Sequence, residues 1–126
     1  MASDLSAEII RFIQEHIKTV ASLDILLLMY RNPTREWTAE GIAVDLRTNP
    51  ITVRGFLDFF VEKGLITRIA DNRYQYRASA AALDSNVAAL AREYSMRPVT
   101  VVNTIYSAPG DDKLQSFADA FKLKKD

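Results

Sequence analysis

Between residues 47 and 54 the chain carries Arg47, Thr48, Asn49, Thr52 and Arg54, hydrogen-bonding side chains grouped around an Asn-Pro step. Asn49 followed by Pro50 reads as a helix N-cap with proline at the first helical position, which proline's fixed φ favours. A helix start presents free N–H groups and the positive end of a dipole, so Thr48 and Asn49 suit an anion. Arg54, one turn on, has the forked geometry that matches two acceptors on a flat edge. Asn49 serves equally well as a cap alone, and Thr52 as first-turn surface. A second group, Arg68, Arg73, Gln75 and Arg77, lies in a β-rich stretch with Asp71 as its one acidic member. Arg73, Gln75 and Arg77 alternate with Tyr74 and Tyr76, so the polar and aromatic sets occupy opposite faces of a strand. The plain alternative is a solvated strand face, with an Asp71–Arg73 pair that does no more than fix the turn.

Chemistry of other kinds finds little material. There is no cysteine, one histidine, and four scattered glycines that form no phosphate loop. His16 lies beside an apolar helical face and reads as a packed or solvated side chain, because a metal site needs several converging ligands. Asp111-Asp112 reads as a cap or loop pair. The sequence therefore predicts no enzyme, no metal and no cofactor.

The elements that position these residues follow from periodicity. Ile9, Ile13, Ile17 and Val20 share one face of a helix over residues 5–18, with Ser6 as cap and Glu8 in the first turn. A helix over 22–31, capped by Ser22, is apolar almost all round and belongs in the middle of a fold. Asn32-Pro33 ends it, and Glu36-Trp37 offers a short extended segment. Thr38 caps a short helix to Leu46. After the turn at 47–49, Val53, Phe56, Leu57, Phe60 and Val61 form a buried stripe on a helix running to Lys63, and Gly64 stops it. Residues 65–69 and 73–77 read as a hairpin around Ala70-Asp71-Asn72. Ser79 caps a further helix to about Tyr94, and residues 99–106 follow as a helix after Pro98. A last short helix contains Leu114, Phe117, Ala118 and Phe121.

The 126 residues predict one domain that is mainly α with a small β-hairpin wing: a core at about 22–78, a helix at 5–18, and helices at 79–122. The start is acidic where a secretory leader is basic, and no apolar run reaches the ~20 residues of a membrane span. A soluble cytoplasmic protein is the expectation. Sixteen basic residues balance sixteen acidic ones, with a pI of about 6.6. That neutrality argues against nucleic-acid binding, since such domains commonly exceed pI ~9.

The order helix, helix, short strand, helix, turn, helix, hairpin is that of a winged helix-turn-helix. The stretch WTAEGIAVDLRTNPITVRGFLDFFVEKGLITR resembles the MarR-type bacterial transcription regulators. Phe59-Phe60-Val61-Glu62-Lys63-Gly64-Leu65-Ile66 carries the likeness, and Asp71 and Arg73 fall where that family has its wing turn. The resemblance implies a regulator that binds duplex DNA as a homodimer. The 50–63 helix would enter the major groove, Arg54 would read guanine, and the wing arginines would hold the backbone. It also implies a dimer interface on the terminal helices, for which Ile9, Ile13, Leu83, Val87, Leu90, Tyr94, Val102 and Tyr106 are candidates; the alternative is that these residues simply cover the chain's own core. Against the family pattern, Ile51, Gly55 and Phe59 make the outward side of the reading helix apolar. The rival reading is a winged-helix adaptor that binds another protein through Ile51 and Phe59. A third is a ligand-gated regulator with a pocket lined by Tyr30, Trp37 and Tyr94.

Overall fold

The computed structural model describes residues 5–107, and within them most helix starts follow a local capping side chain. Ser6 accepts the Ile9 N–H and opens α1 (Ala7–His16). The cap of α2 (Val20–Arg31) is Thr19, not Ser22. Thr19 accepts the Ser22 N–H while Ser22 Oγ accepts the Thr19 N–H, a reciprocal box that starts the helix one turn earlier. Thr38 caps α3 (Ala39–Leu46) through the Gly41 N–H, after the two-residue strand β1 (Glu36–Trp37). Asn49 caps α4 (Pro50–Glu62), its Oδ1 accepting the N–H groups of Ile51 and Thr52 at 2.7 and 3.3 Å.

The hairpin joins β2 (Ile66–Ala70) to β3 (Arg73–Tyr76), with β3 central in a three-stranded antiparallel sheet of order β1-β3-β2. Arg68 faces Tyr74 and Ala70 faces Arg73, so Ile69 is an extra residue and the register shifts around it. That bulge draws Ala70 into the strand and leaves Asp71-Asn72 as a two-residue turn. Ser79 does not cap α5 (Ala81–Met96); the N-cap is Ala80, without a side-chain bond. The Ser79 N–H instead donates to the Gly64 carbonyl at 2.8 Å, tying the end of the hairpin to its start. α6 (Pro98–Ser107) is helical with proline in first position. The helix expected beyond residue 110, with Phe117 and Phe121, lies outside the described residues.

At the centre is α2, whose Leu23, Ile25, Leu26, Leu27 and Met29 are buried, with α3, α4, α5 and β3 around it. Val53, Leu57 and Phe60 seat α4; Phe56 and Val61, expected in the same stripe, are half-buried. On the other flank α1 packs on α5 and α6. The described helices include none long and apolar enough to cross a membrane. His16 is buried, its Nδ1–H donating to the Phe12 carbonyl at 2.9 Å and its ring stacked on Phe12 at 4.3 Å. Burial holds its pKa below the ordinary 6.5, against the raising effect of the Phe12 bond.

Two outcomes follow from this packing. Gly64 has φ +80°, and a Cβ there would lie 2.5 Å from Ser79 Oγ. Gly64→Ala lowers the unfolding free energy by about 2 kcal/mol in urea titration, and by about 1 kcal/mol in a Ser79→Ala background, where only backbone strain remains. Equal losses in both backgrounds would show that the clash contributes nothing. The single imidazole should titrate below 6.5 by NMR. Its unfolded form takes up a proton near 6.5 and its folded form resists it, so His16 costs stability as pH falls through 6.5 towards the folded value. A midpoint at or above 6.5 would contradict the buried, neutral ring.

Candidate nucleic-acid interface

Rotation of α4 about its axis is set by Val53, Leu57 and Phe60, which turns Ile51, Thr52, Gly55 and Asp58 towards solvent. Ile51 is 75% exposed. Arg54 sits between the two sides and is already engaged, its guanidinium 3.0 Å from the Glu40 carboxylate on α3. Glu40 also accepts the Asn72 amide from the hairpin turn at 2.9 Å. That bond, the Glu40 backbone N–H and the nearby Arg54 hold the Glu40 carboxyl below its usual range. One exposed carboxylate thus links α3, α4 and the wing.

The wing arginines are paired in the same manner. Arg68 meets Asp58 of α4 at 3.2 Å, and the buried Tyr74 hydroxyl donates to the same carboxylate at 3.2 Å. Arg73 pairs with Glu36 of β1 at 3.2 Å and not with Asp71. Gln75 donates to the Pro33 carbonyl at 3.1 Å. Three of the arginines predicted as contacts are therefore partly neutralised by Glu36, Glu40 and Asp58. Exposed pairs of this kind are weak, so a stronger anion can displace them.

Arg47 and Arg77 are different: both are exposed, and neither has an ion pair among the described residues. Arg47 is the C-cap of α3 at φ 55°, ψ 51°, the only described non-glycine residue at positive φ. Glycine or asparagine is the usual occupant of such a cap. Asn49 is held by its capping role, while Thr48 and Thr52 line a cavity of about 80 Å³ with Asp24 and Phe56. Burial raises the Asp24 carboxyl pKa there, although the Tyr94 hydroxyl donates to it at 3.4 Å. Tyr30, Trp37 and Tyr94, expected to line one pocket, are not among the residues around that cavity: Trp37 is buried, and Tyr30 packs edge-on against Tyr76.

The apolar candidates separate likewise. Phe59 is half-buried, with the Lys18 and Lys63 ammonium groups 5.7 and 5.5 Å from its ring centroid. It lies about 12 Å along the helix from Ile51, so the two do not form one bare patch. Of the residues expected at a dimer interface, Ile9, Ile13, Val87 and Leu90 are buried in the chain's own core. Leu83, Tyr94 and Val102 are half-buried, and Tyr106 is exposed with its hydroxyl accepting the Val20 N–H at 3.1 Å.

The chain has the winged helix-turn-helix fold that the sequence resemblance implied. It matches the crystal structure of MepR, a transcription regulator of the Staphylococcus aureus multidrug efflux pump MepA, over 94% of this chain and 91% of that one. The TM-score is 0.52 and the identity 18%, so the likeness speaks for the fold. No protein-family model matches the sequence, and no curated protein does.

Arg47 generates a two-sided expectation. Arg47→Gly relieves the left-handed strain and raises the unfolding free energy by about 1 kcal/mol in urea titration. The same substitution weakens binding to a generic duplex in anisotropy measurements. A variant that is stabilised and binds as well as the wild type would leave Arg47 with no role in contact.

Proposed function

We propose that this chain is a DNA-binding transcription regulator that sets α4 into the major groove of a duplex and lays the β2–β3 hairpin along the backbone. The observation that carries this reading is the exposed outer side of α4, with guanidinium groups at Arg47 before it and at Arg77 after the hairpin that hold no ion pair among the described residues. The shared fold with a transcription regulator supports it. Thr48, Thr52, Arg54, Arg68, Arg73 and Gln75 are the remaining contact candidates, with Asn49 orienting the first turn. Arg54, Arg68 and Arg73 reach phosphate or a base only by exchanging the carboxylates they now hold. Binding is consequently weaker than five arginines alone would imply, in keeping with the zero net charge. The protein is expected to act in the cytoplasm, and as a homodimer, with two α4 helices addressing half-sites about one helical turn apart. Exposed Met96, Val99 and Tyr106 with half-buried Val102 offer apolar surface for that pairing on α5 and α6.

The test is a salt titration of anisotropy on a generic duplex. Binding weakens linearly in log salt, and Arg47→Ala or Arg77→Ala each reduces the slope by about 1. Glu40→Gln keeps an acceptor for Asn72 but removes the charge, freeing Arg54, and tightens binding several-fold. No measurable binding at ~20 mM salt, where phosphate contacts are strongest, overturns the reading in favour of a protein-binding adaptor.

A further inference from the structure

Ile51 is an anomaly for a helix that is otherwise economically arranged. It occupies the first turn of α4, leaves three-quarters of its surface in water, and its backbone N–H is locked by Asn49 Oδ1 at 2.7 Å. A β-branched side chain in a helix has essentially one rotamer, so this apolar group is presented rigidly and loses little freedom on contact. One turn further on the same face stands Gly55. Glycine is a poor helix former, and nothing among the described residues requires it here. Its φ is not positive, and a Cβ at that position would meet no atom within 4 Å. The missing side chain makes room only for something that approaches from outside. Arg54, the polar reader between them, is tied to Glu40, and Thr52 lines the cavity beside Asp24. The free surface of the first two turns thus presents the rigid sec-butyl group of Ile51 next to bare backbone, with exposed Thr52 beside them.

Resting on the DNA-binding reading above, we infer that Ile51 is the specificity-determining residue of α4 and that it reads the 5-methyl group of thymine. In the major groove of a duplex that methyl is the apolar feature that distinguishes one base from the others, and Gly55 lets the helix backbone come close enough for Ile51 to reach it. Guanidinium groups at Arg47 and Arg77 provide the charge complementarity that holds the duplex against this face. The helix then selects A·T pairs by apolar contact, while Arg54 contributes less to base selection than its type suggests.

Alternating duplexes of dA·dT and dA·dU test this directly, because they share backbone charge and differ by the thymine methyl alone. Wild-type protein binds the dT duplex about four-fold more tightly for each methyl buried. Ile51→Ala removes the difference, Ile51→Val retains part of it, and Val44→Ala, which trims an equally exposed apolar residue on α3, leaves it intact. Gly55→Ala weakens binding to both duplexes alike. Ile51 is solvent-exposed, so these variants fold, and an unchanged thermal melt verifies it. Equal wild-type affinity for dT and dU, or a preference that survives Ile51→Ala, overturns the assignment while leaving DNA binding in place. Failure to bind either duplex overturns the DNA-binding reading itself.

Discussion

Val53, Leu57 and Phe60 lose all exposure along one side of a thirteen-residue helix, and that burial fixes the rotation of α4 about its own axis. Each of these side chains contributes about 1.5–3 kcal/mol when fully buried, far more than any exposed ion pair on the opposite side. The outward face is thus a consequence of the core and not of the polar residues that occupy it. Tyr74 extends the same constraint to the hairpin. Its ring is buried while its hydroxyl and Arg68 both meet Asp58, so the wing takes its position from α4.

Charge on this surface is distributed to limit attraction. Glu36, Glu40 and Asp58 come from three different elements, and each meets one of the arginines that would otherwise face a partner. Such exposed pairs are weak, yet every phosphate contact made through them must first displace a carboxylate. Phosphate attraction supplies most non-specific affinity. A surface arranged in this way favours partners that also satisfy its apolar features, and Ile51 beside Gly55 is the most exposed of these on α4.

The flank away from α4 follows another logic. Ile9, Ile13, Val87 and Leu90 close the core between α1 and α5, so the outer helices are structural parts of the chain's own fold. Among the described residues, the large apolar side chains exposed on α5 and α6 are Met96, Val99 and Tyr106. Tyr106 also accepts the Val20 N–H, which ties α6 to the start of α2. A change at that surface would reach the central helix directly.

Much of the fold was legible from residues a few positions apart. Asn49-Pro50 marks the start of α4, Gly64 its end, and Tyr74 and Tyr76 share the inner face of β3, because caps, helical stripes and strand alternation depend on local geometry alone. At α2 the sequence pointed to Ser22 as the cap, and the structure gives that place to Thr19 three residues earlier, with each side chain bonding the other's N–H. The state of the arginines was beyond sequence reasoning altogether. Arg54, Arg68 and Arg73 find their carboxylates 14, 10 and 37 positions away, on other elements, and only the folded placement of those elements decides which charges meet. Periodicity likewise marked Ile9, Ile13, Val87 and Leu90 as apolar faces without saying what covers them. An amphipathic helix specifies that one side must be hidden from water, and tertiary packing decides whether the same chain or another one hides it.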